Sequence, residues 1–320
     1  MPDLRVARTA LSLFGCVEAG GTKFVCGLGT GPDDLQLTHI PTTSPSDTMD
    51  KIVGFFREAG PSLSAIGVGA FGPVDLRSES PTFGYVTSTP KVDWKDFDLA
   101  GTLQRALDVP VGFDTDVNAA AAGEARWGAG RGIPDFLYLT VGTGIGGGAL
   151  VNGEVIHGLL HPEMGHIRIP HDLKEDPFPG CCPYHFDCLE GLASGPAIQA
   201  RWGVPASQLA PDHPGWALEA RYLAFGLATW VCTLSPQRIL IGGGVMQQTR
   251  LFPLIRQELL RLLNGYIQVK AILQDIDRYV VPPQLGSRAG VLGAMVLAEH
   301  IYRNPSARIG APLAGADAWR

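Results

Sequence analysis

The sequence has no run of lysine and arginine dense enough to follow a phosphodiester backbone, and 25 basic residues against 31 acidic ones leave a net charge of -6. A nucleic-acid partner, which requires clustered positive charge, is therefore not expected, and a small-molecule partner fits better. An apolar run of membrane-spanning length is also missing. Residues 1–14 carry Arg5 and Arg8 ahead of a short apolar stretch, as a signal peptide does, but the stretch runs straight into a glycine-rich motif. A cytoplasmic protein without membrane contact is the expectation. Charged residues are few, 18% against 45% hydrophobic, which is enough apolar surface for two cores and too little charge for disorder beyond the ends. At 320 residues the chain exceeds a comfortable single core, so two domains with a cleft between them are expected.

Cysteine is sparse and unevenly spread. Cys16, Cys26 and Cys232 lie alone in apolar runs, as small buried side chains do, whereas Cys181, Cys182 and Cys188 cluster. With His166, the spacing Cys182-x-x-His185-x-x-Cys188 offers two imidazoles and two thiolates, the ligand set of a closed, structural zinc site. A chance cluster is the plainer alternative. Cys181 competes with Cys182 for the ligand position, and His157 and His161 read as spare surface histidines.

Hydrophobic patterning predicts strands on either side of a Gly-Gly-Thr turn over residues 13–29, a third strand over 35–40, a helix capped by Asp47 and running to Ala59, and a buried strand over 65–70. A helix over 97–107, a strand over 109–113 and a helix from about Asp116 follow. The grammar then restarts with a strand over 136–141, a glycine turn over 142–148 and a return strand, so duplicated halves are expected. Residues 161–190 form an irregular insertion. Helices over 195–202, 216–234, 251–263 and 287–302 complete the chain, with one strand over 238–241.

Three glycine clusters follow three of these strands: Gly20-Gly21-Thr22-Lys23, residues 142–148 including Thr143 and Gly144, and Gly242-Gly243-Gly244. Glycine lets backbone N–H groups approach phosphate oxygens, and threonine adds a hydroxyl donor. None matches the P-loop or the dinucleotide fingerprint. Each alone reads equally well as a tight turn; three in this order suggest a wrapped nucleotide. Asp116, where a strand meets an Ala-rich helix, is either a helix cap or a general base for phosphoryl transfer.

Residues 17–23, 140–148 and 241–245 resemble the two phosphate loops and the adenosine loop of the actin-like ATPase fold. In detail they are similar to the ROK family (repressors, open reading frames and sugar kinases), bacterial fructokinase subgroup, over residues 13–302. The resemblance implies an α/β, ribonuclease H-like architecture of two domains flanking a cleft. The first domain would comprise residues 1–118 plus 288–304 and the second 119–287 with a zinc-binding loop at 161–190, leaving 305–320 as a tail. It implies Mg2+ and ATP on Gly20, Gly21, Thr22, Lys23, Thr143, Gly144, Gly242, Gly243 and Gly244. Asp116 becomes the catalytic base and Asn118 a hexose ligand, with Thr115 where the family motif has its first Asn. Gly72, Pro73, Thr89 and Pro90 would close over the sugar, while Glu163, His166 and Glu190 hold its hydroxyls. Structural Zn2+ would sit on His166, Cys182, His185 and Cys188. Glu18 stands where the superfamily usually has Asp near the metal, as in fructokinases of this family. Fructose is the implied hexose, with glucose, mannose or an N-acetylated amino sugar as alternatives, and a homodimer is implied.

Two rivals belong to other classes. His161-x-Glu163 with later cysteines faintly suggests a zinc deaminase, although no P-C-x-x-C follows. A ROK repressor would need a helix-turn-helix module, for which a dozen residues ahead of the first strand are too few.

Overall fold

The computed structural model describes residues 12–58 and 60–304. Arg5, Arg8, the expected helix end at Ala59 and the tail from residue 305 lie outside them.

The chain opens with strands β1 (Leu13–Ala19), β2 (Lys23–Gly29) and β3 (Gln36–Pro41), then helix α1 (Pro45–Arg57) and strand β4 (Leu63–Ala70). A short pair, β5 (Tyr85–Val86) and β6 (Phe97–Asp98), precedes α2 (Leu99–Leu107), β7 (Val111–Thr115) and α3 (Asp116–Trp127). The second half begins with β8 (Phe136–Val141), β9 (Ile145–Val151) and β10 (Glu154–Val155), followed by the long insertion and by α4 (Leu189–Ala193), α5 (Gly195–Trp202) and α6 (Gly215–Leu234). Then come β11 (Arg238–Gly242), α7 (Leu251–Leu263), the short helices α8 (Lys270–Leu273) and α9 (Ile276–Tyr279), β12 (Val280–Val281) and α10 (Ala289–Arg303).

The expected duplication is present in the topology. The sheets run β3-β2-β1-β4-β7 and β10-β9-β8-β11-β12, so each half, numbered from its own start, has the strand order 3-2-1-4-5. Pairing directions repeat as well: the first three strands of each half are antiparallel neighbours, and the last two join parallel to the first. Parallel joins require crossovers, which is why helices separate those strands in sequence. The architecture is the α/β actin-like one that the resemblance implies.

Local chemistry explains the element ends, with two corrections. Ser44, not Asp47, caps α1, its side chain accepting from Asp47 N, and Asp47 adds a favourable negative charge in the first turn. Thr115, not Asp116, caps α3, accepting from Asn118 N at 3.1 Å. That removes the cap as an explanation for Asp116. Residues 146–148, expected in a turn, lie inside β9, because glycine there lets the strand press against Val117 and Asn118 at the start of α3.

The expected boundary between residues 118 and 119 falls inside α3. This helix and α10 pack on each other; α10 also lies on β1, β4 and β7, and α3 touches β8 and β9. A core of their own, including Ala119, Ala122, Phe136, Tyr138, Ala289 and Leu297, joins the two sheet cores. The helices approach backbone to backbone: a Cβ on Gly293 would fall on the Ala119 carbonyl, and one on Gly67 of β4 on the Ala294 carbonyl. Gly293→Ala is therefore expected to destabilise the protein by about 1–3 kcal/mol through overpacking. The check is a lower urea midpoint at unchanged slope; an unchanged midpoint would show that the helices separate freely.

Candidate functional site

The second and third glycine turns lie side by side, and the carboxylates Glu190, Glu163, Asp116 and Glu18 link them to the first. The first turn joins β1 to β2, with Gly20 N–H donating to Lys23 O at 3.1 Å, and Thr42 ties it from behind through bonds to Gly20 O and Thr22 O. Thr22 and Lys23 are exposed. Sequence reasoning missed Lys91, which reaches over this turn from the neighbouring loop: its Cε lies 3.2 Å from where a Gly21 Cβ would be. The second turn is closed by Gly142 N–H donating to Gly144 O and is held by Gly195 N–H donating to Gly142 O. Thr143 at its tip is exposed. The third turn lies beside the second. Gly243 takes φ +97, a left-handed conformation, and rests on the Val141 backbone, where a Cβ would clash.

Asp116 occupies the first position of α3, part-exposed, with Oδ1 accepting from Val117 N–H at 2.8 Å. Burial raises its pKa to about 6, against the lowering effect of backbone N–H donors. Glu18, at the end of β1, is pushed up to about 7 by burial and then by Asp116, while Lys23 and the Val291 N–H pull the other way. Its Oε2 is buried without a hydrogen-bond partner. A carboxylate oxygen kept without a donor, beside a second carboxylate, suits a hard divalent cation such as Mg2+, which would supply the missing interaction. Glu163 is likewise raised to about 7, by burial and then by Glu190 and Asp116. The four acids thus share one field.

The sugar-side residues converge only in part as expected. Thr87 donates its N–H and Oγ1 to Pro73 O, which brings residues 72–74 against 87–91, and so Gly72 and Pro73 beside Thr89 and Pro90. Glu163 Oε1 would sit 3.4 Å from a Gly72 Cβ. Glu190 has a second employment: its Oε2 accepts from Ile145 N–H at 2.9 Å and leaves no room for a Cβ on Gly144. Asn118, the implied hexose ligand, is buried. It is 1% exposed, its Nδ2 donates to Asp114 at 2.7 Å, and its Oδ1 faces the β9 backbone at Gly148. It supports Asp114, and its Nδ2 also lies 3.5 Å from His157 Nε2.

His157 and His161 are not spare surface groups. His161 is 7% exposed and accepts from Val74 N–H, while His157 Nε2 lies 2.8 Å from Asp114 Oδ2. Burial works against a charge on His157, but the bond and charge of Asp114 outweigh it and raise its pKa. The signal for both was absent from sequence because their partners are a backbone amide and an aspartate far away in the chain.

His166, Cys182, His185 and Cys188 converge, with ligand atoms all within 4.8 Å of one another. Tetrahedral zinc with ordinary bond lengths implies about 3.3 Å between two nitrogens and about 3.6 Å between nitrogen and sulfur. Nδ1 of His185 and of His166 are 3.3 Å apart, and nitrogen–sulfur separations of 3.6–3.7 Å join His166 to both cysteines and His185 to Cys182. The residues fit the ion. Cys182 is the member of the cluster and Cys181 is exposed outside it, because Cys182 and Phe186 exchange backbone hydrogen bonds in a tight knuckle that turns His185 toward Cys182. Four protein ligands leave no position for water, and neither His161 nor Glu163 is among them, so the deaminase pattern has no counterpart. His166 keeps Nε2 for the cleft side, 3.9 Å from Glu190 Oε1.

Among the described residues no helix is long and apolar enough to cross a membrane. A family model described as "ROK family" matches residues 14–301. A fructokinase of Zymomonas mobilis is 43% identical over 89% of this chain and 96% of its own length. A fructokinase of Pediococcus pentosaceus is 40% identical, with 91% and 99% covered. Among solved structures, a ROK family glucokinase from Streptomyces griseus in complex with glucose and AMPPNP superposes with a TM-score of 0.72 at 26% identity, covering 90% of this chain and 99% of that one. Duplicated sheets and a match along nearly the whole described chain agree: the protein belongs to the ROK family.

Proposed function

We propose that this chain is an ATP-dependent fructokinase, transferring the γ-phosphoryl group of ATP to the 6-hydroxyl of free fructose. The observation that carries the reading is Asp116: a part-exposed carboxylate with a pKa of about 6, close enough to Glu18 and Glu163 to raise the pKa of both. A general base works best when its pKa lies just below the working pH. The fructokinase relatives named above, each matched along nearly its whole length, support fructose over other hexoses.

In this reading the backbone of residues 20–23 and 142–144 cradles the phosphates, the Gly242–Gly244 turn borders the nucleoside, and Lys91 adds a positive charge over Gly21. Glu18 would hold Mg2+, which supplies charge neutralisation at the β- and γ-phosphates. Glu163 accepts hydrogens from sugar hydroxyls, and Glu190 and His166 border the same pocket. Asp116 takes the 6-hydroxyl proton as that oxygen bonds to the γ-phosphorus and the bond to the β–γ bridging oxygen breaks, releasing ADP. Zinc on His166, Cys182, His185 and Cys188 braces the loop behind Glu163 and Glu190.

An ATP-consumption screen over fructose, glucose, mannose and N-acetylmannosamine tests the reading. Fructose is expected to lead in kcat/KM by about tenfold or more, since a site of paired carboxylates and hydroxyls discriminates strongly among polyols. A lead by another hexose would move the substrate assignment, and no turnover of any would overturn the kinase reading.

A further inference from the structure

Residues 157–161 leave the second sheet and cross to the first, and a histidine fastens each end. His157 Nε2 lies 2.8 Å from Oδ2 of Asp114, an aspartate of β7 whose other oxygen receives the Thr115 N–H and the Asn118 amide at 2.7 Å each. At the far end, Val74 N–H donates to His161 Nε2 over 3.0 Å in a buried hydrogen bond. A backbone N–H is only ever a donor, so Nε2 of His161 must accept and the ring proton must sit on Nδ1. Burial lowers the pKa of His161, which favours this neutral tautomer. Nδ1 then faces Pro162 O at 3.5 Å and Glu163 Oε1 at 3.6 Å. The packing around the ring is close: a Cβ on Gly72 would stand 3.1 Å from His161 Cε1 and 3.4 Å from Glu163 Oε1.

We propose that His161, seconded by His157, is a positioning residue for sugar recognition: it staples the segment carrying Glu163 to the first half of the molecule and directs its Nδ1 proton at the Glu163 carboxylate. The proposal rests on the reading of Glu163 as an acceptor of hexose hydroxyls. The physical need is plain. The Glu163 side chain is 43% exposed, on an irregular segment that offers it no regular hydrogen-bond ladder. A carboxylate that selects a polyol by the direction of its lone pairs must be held still, and freezing it in advance removes that ordering cost from binding. His161 supplies the restraint from a ring that is itself locked by the Val74 amide, and a Cβ on Gly72 would press on that ring.

His161→Phe keeps the ring and removes both nitrogens; His161→Gln retains an oxygen for Val74 N–H and an amide for Glu163. In His161→Phe the KM for fructose is expected to rise about tenfold or more, with kcat and the KM for ATP within about threefold, and His161→Gln should recover fructose KM to within about threefold of wild type. Because His161 acts through Glu163, its loss in a Glu163→Gln background should change KM less than about twofold. Hydrogen exchange at Val74 reads the staple without any sugar: protection should fall about a hundredfold in His161→Phe and persist in His161→Gln. Unchanged fructose KM in His161→Phe, additive effects in the double mutant, or fructose and ATP KM rising together with a falling melting temperature would each overturn the proposal. Should His161→Phe not fold, Gly72→Ala, which presses on the same ring, replaces it in the cycle. A wild-type enzyme that prefers another hexose removes only the fructose reading, and the cycle is then scored on that hexose. A wild type that phosphorylates none overturns both.

Discussion

Asp116→Asn should lower kcat by about 10²–10⁴-fold, the usual contribution of a positioned general base, while KM for either substrate stays within a few-fold. The asparagine keeps the side chain's size and an oxygen for the Val117 N–H, so the loss would report proton transfer and not collapse of the helix start. Burial raises the Asp116 pKa from 3.8 to about 6, which gives the prediction a pH signature. Below about pH 6 the carboxyl holds its proton and cannot accept another, so kcat/KM of the wild type falls about tenfold per pH unit on the acid side. That limb should vanish in Asp116→Asn. Because the Asp116 charge raises the Glu18 pKa, removing it should also lower the Glu18 pKa from about 7.

The same shifts carry a stability cost of known sign. Both groups bind a proton more tightly folded than unfolded, so the stability they lend is complete below their unfolded values of 3.8 and 4.5 and is lost as pH rises through about 6 and 7. Above pH 7, Asp116→Asn should therefore melt higher than wild type. A variant that is both slower and more stable is the signature of a site kept under electrostatic strain. Turnover within about threefold of wild type would remove Asp116 as the base.

Removal of the metal should have the second large effect. Acid digestion is expected to find about one zinc per chain. Prolonged chelation, or Cys188→Ser, should lower the melting temperature by about ten degrees or more, because structural zinc contributes binding energy that the apo loop lacks. Cys188 also caps α4, whose Leu189 and Leu192 enter the second core, so the damage spreads beyond the loop. Fructose KM should rise with metal loss, since Glu163 lies three residues before His166 and Glu190 two residues after Cys188, while ATP affinity changes less. Zinc, and not magnesium, should restore both. A protein purified without zinc, or one whose melting is indifferent to chelation, would sink the assignment.

Much of this was legible before any coordinates. Strand and helix periodicity located the glycine turns, since a strand that ends in Gly-Gly-Thr has few other uses for those residues. The spacing Cys182-x-x-His185-x-x-Cys188 placed three ligands in one knuckle because the ligands are local in sequence. Errors arose where a partner is remote. His161 looked superficial because its acceptor role answers to the Val74 amide, a separation of 87 residues. The burial of Asn118 had no local signal either: β9 covers it through a run of glycines that let the strand approach. The expected border after residue 118 falls inside α3, and nothing local to that helix tells that α10 will lie against it.

What the sequence by itself determined was the set of elements, their order, the duplicated grammar and the chemistry on offer, because propensity, capping and hydrophobic period act within a few residues. Only the tertiary structure decided which acids feel one another, which histidine is locked in which tautomer, and which glycines are compelled by a neighbour's backbone. Those are consequences of distance and burial, and a chain acquires them when it closes on itself.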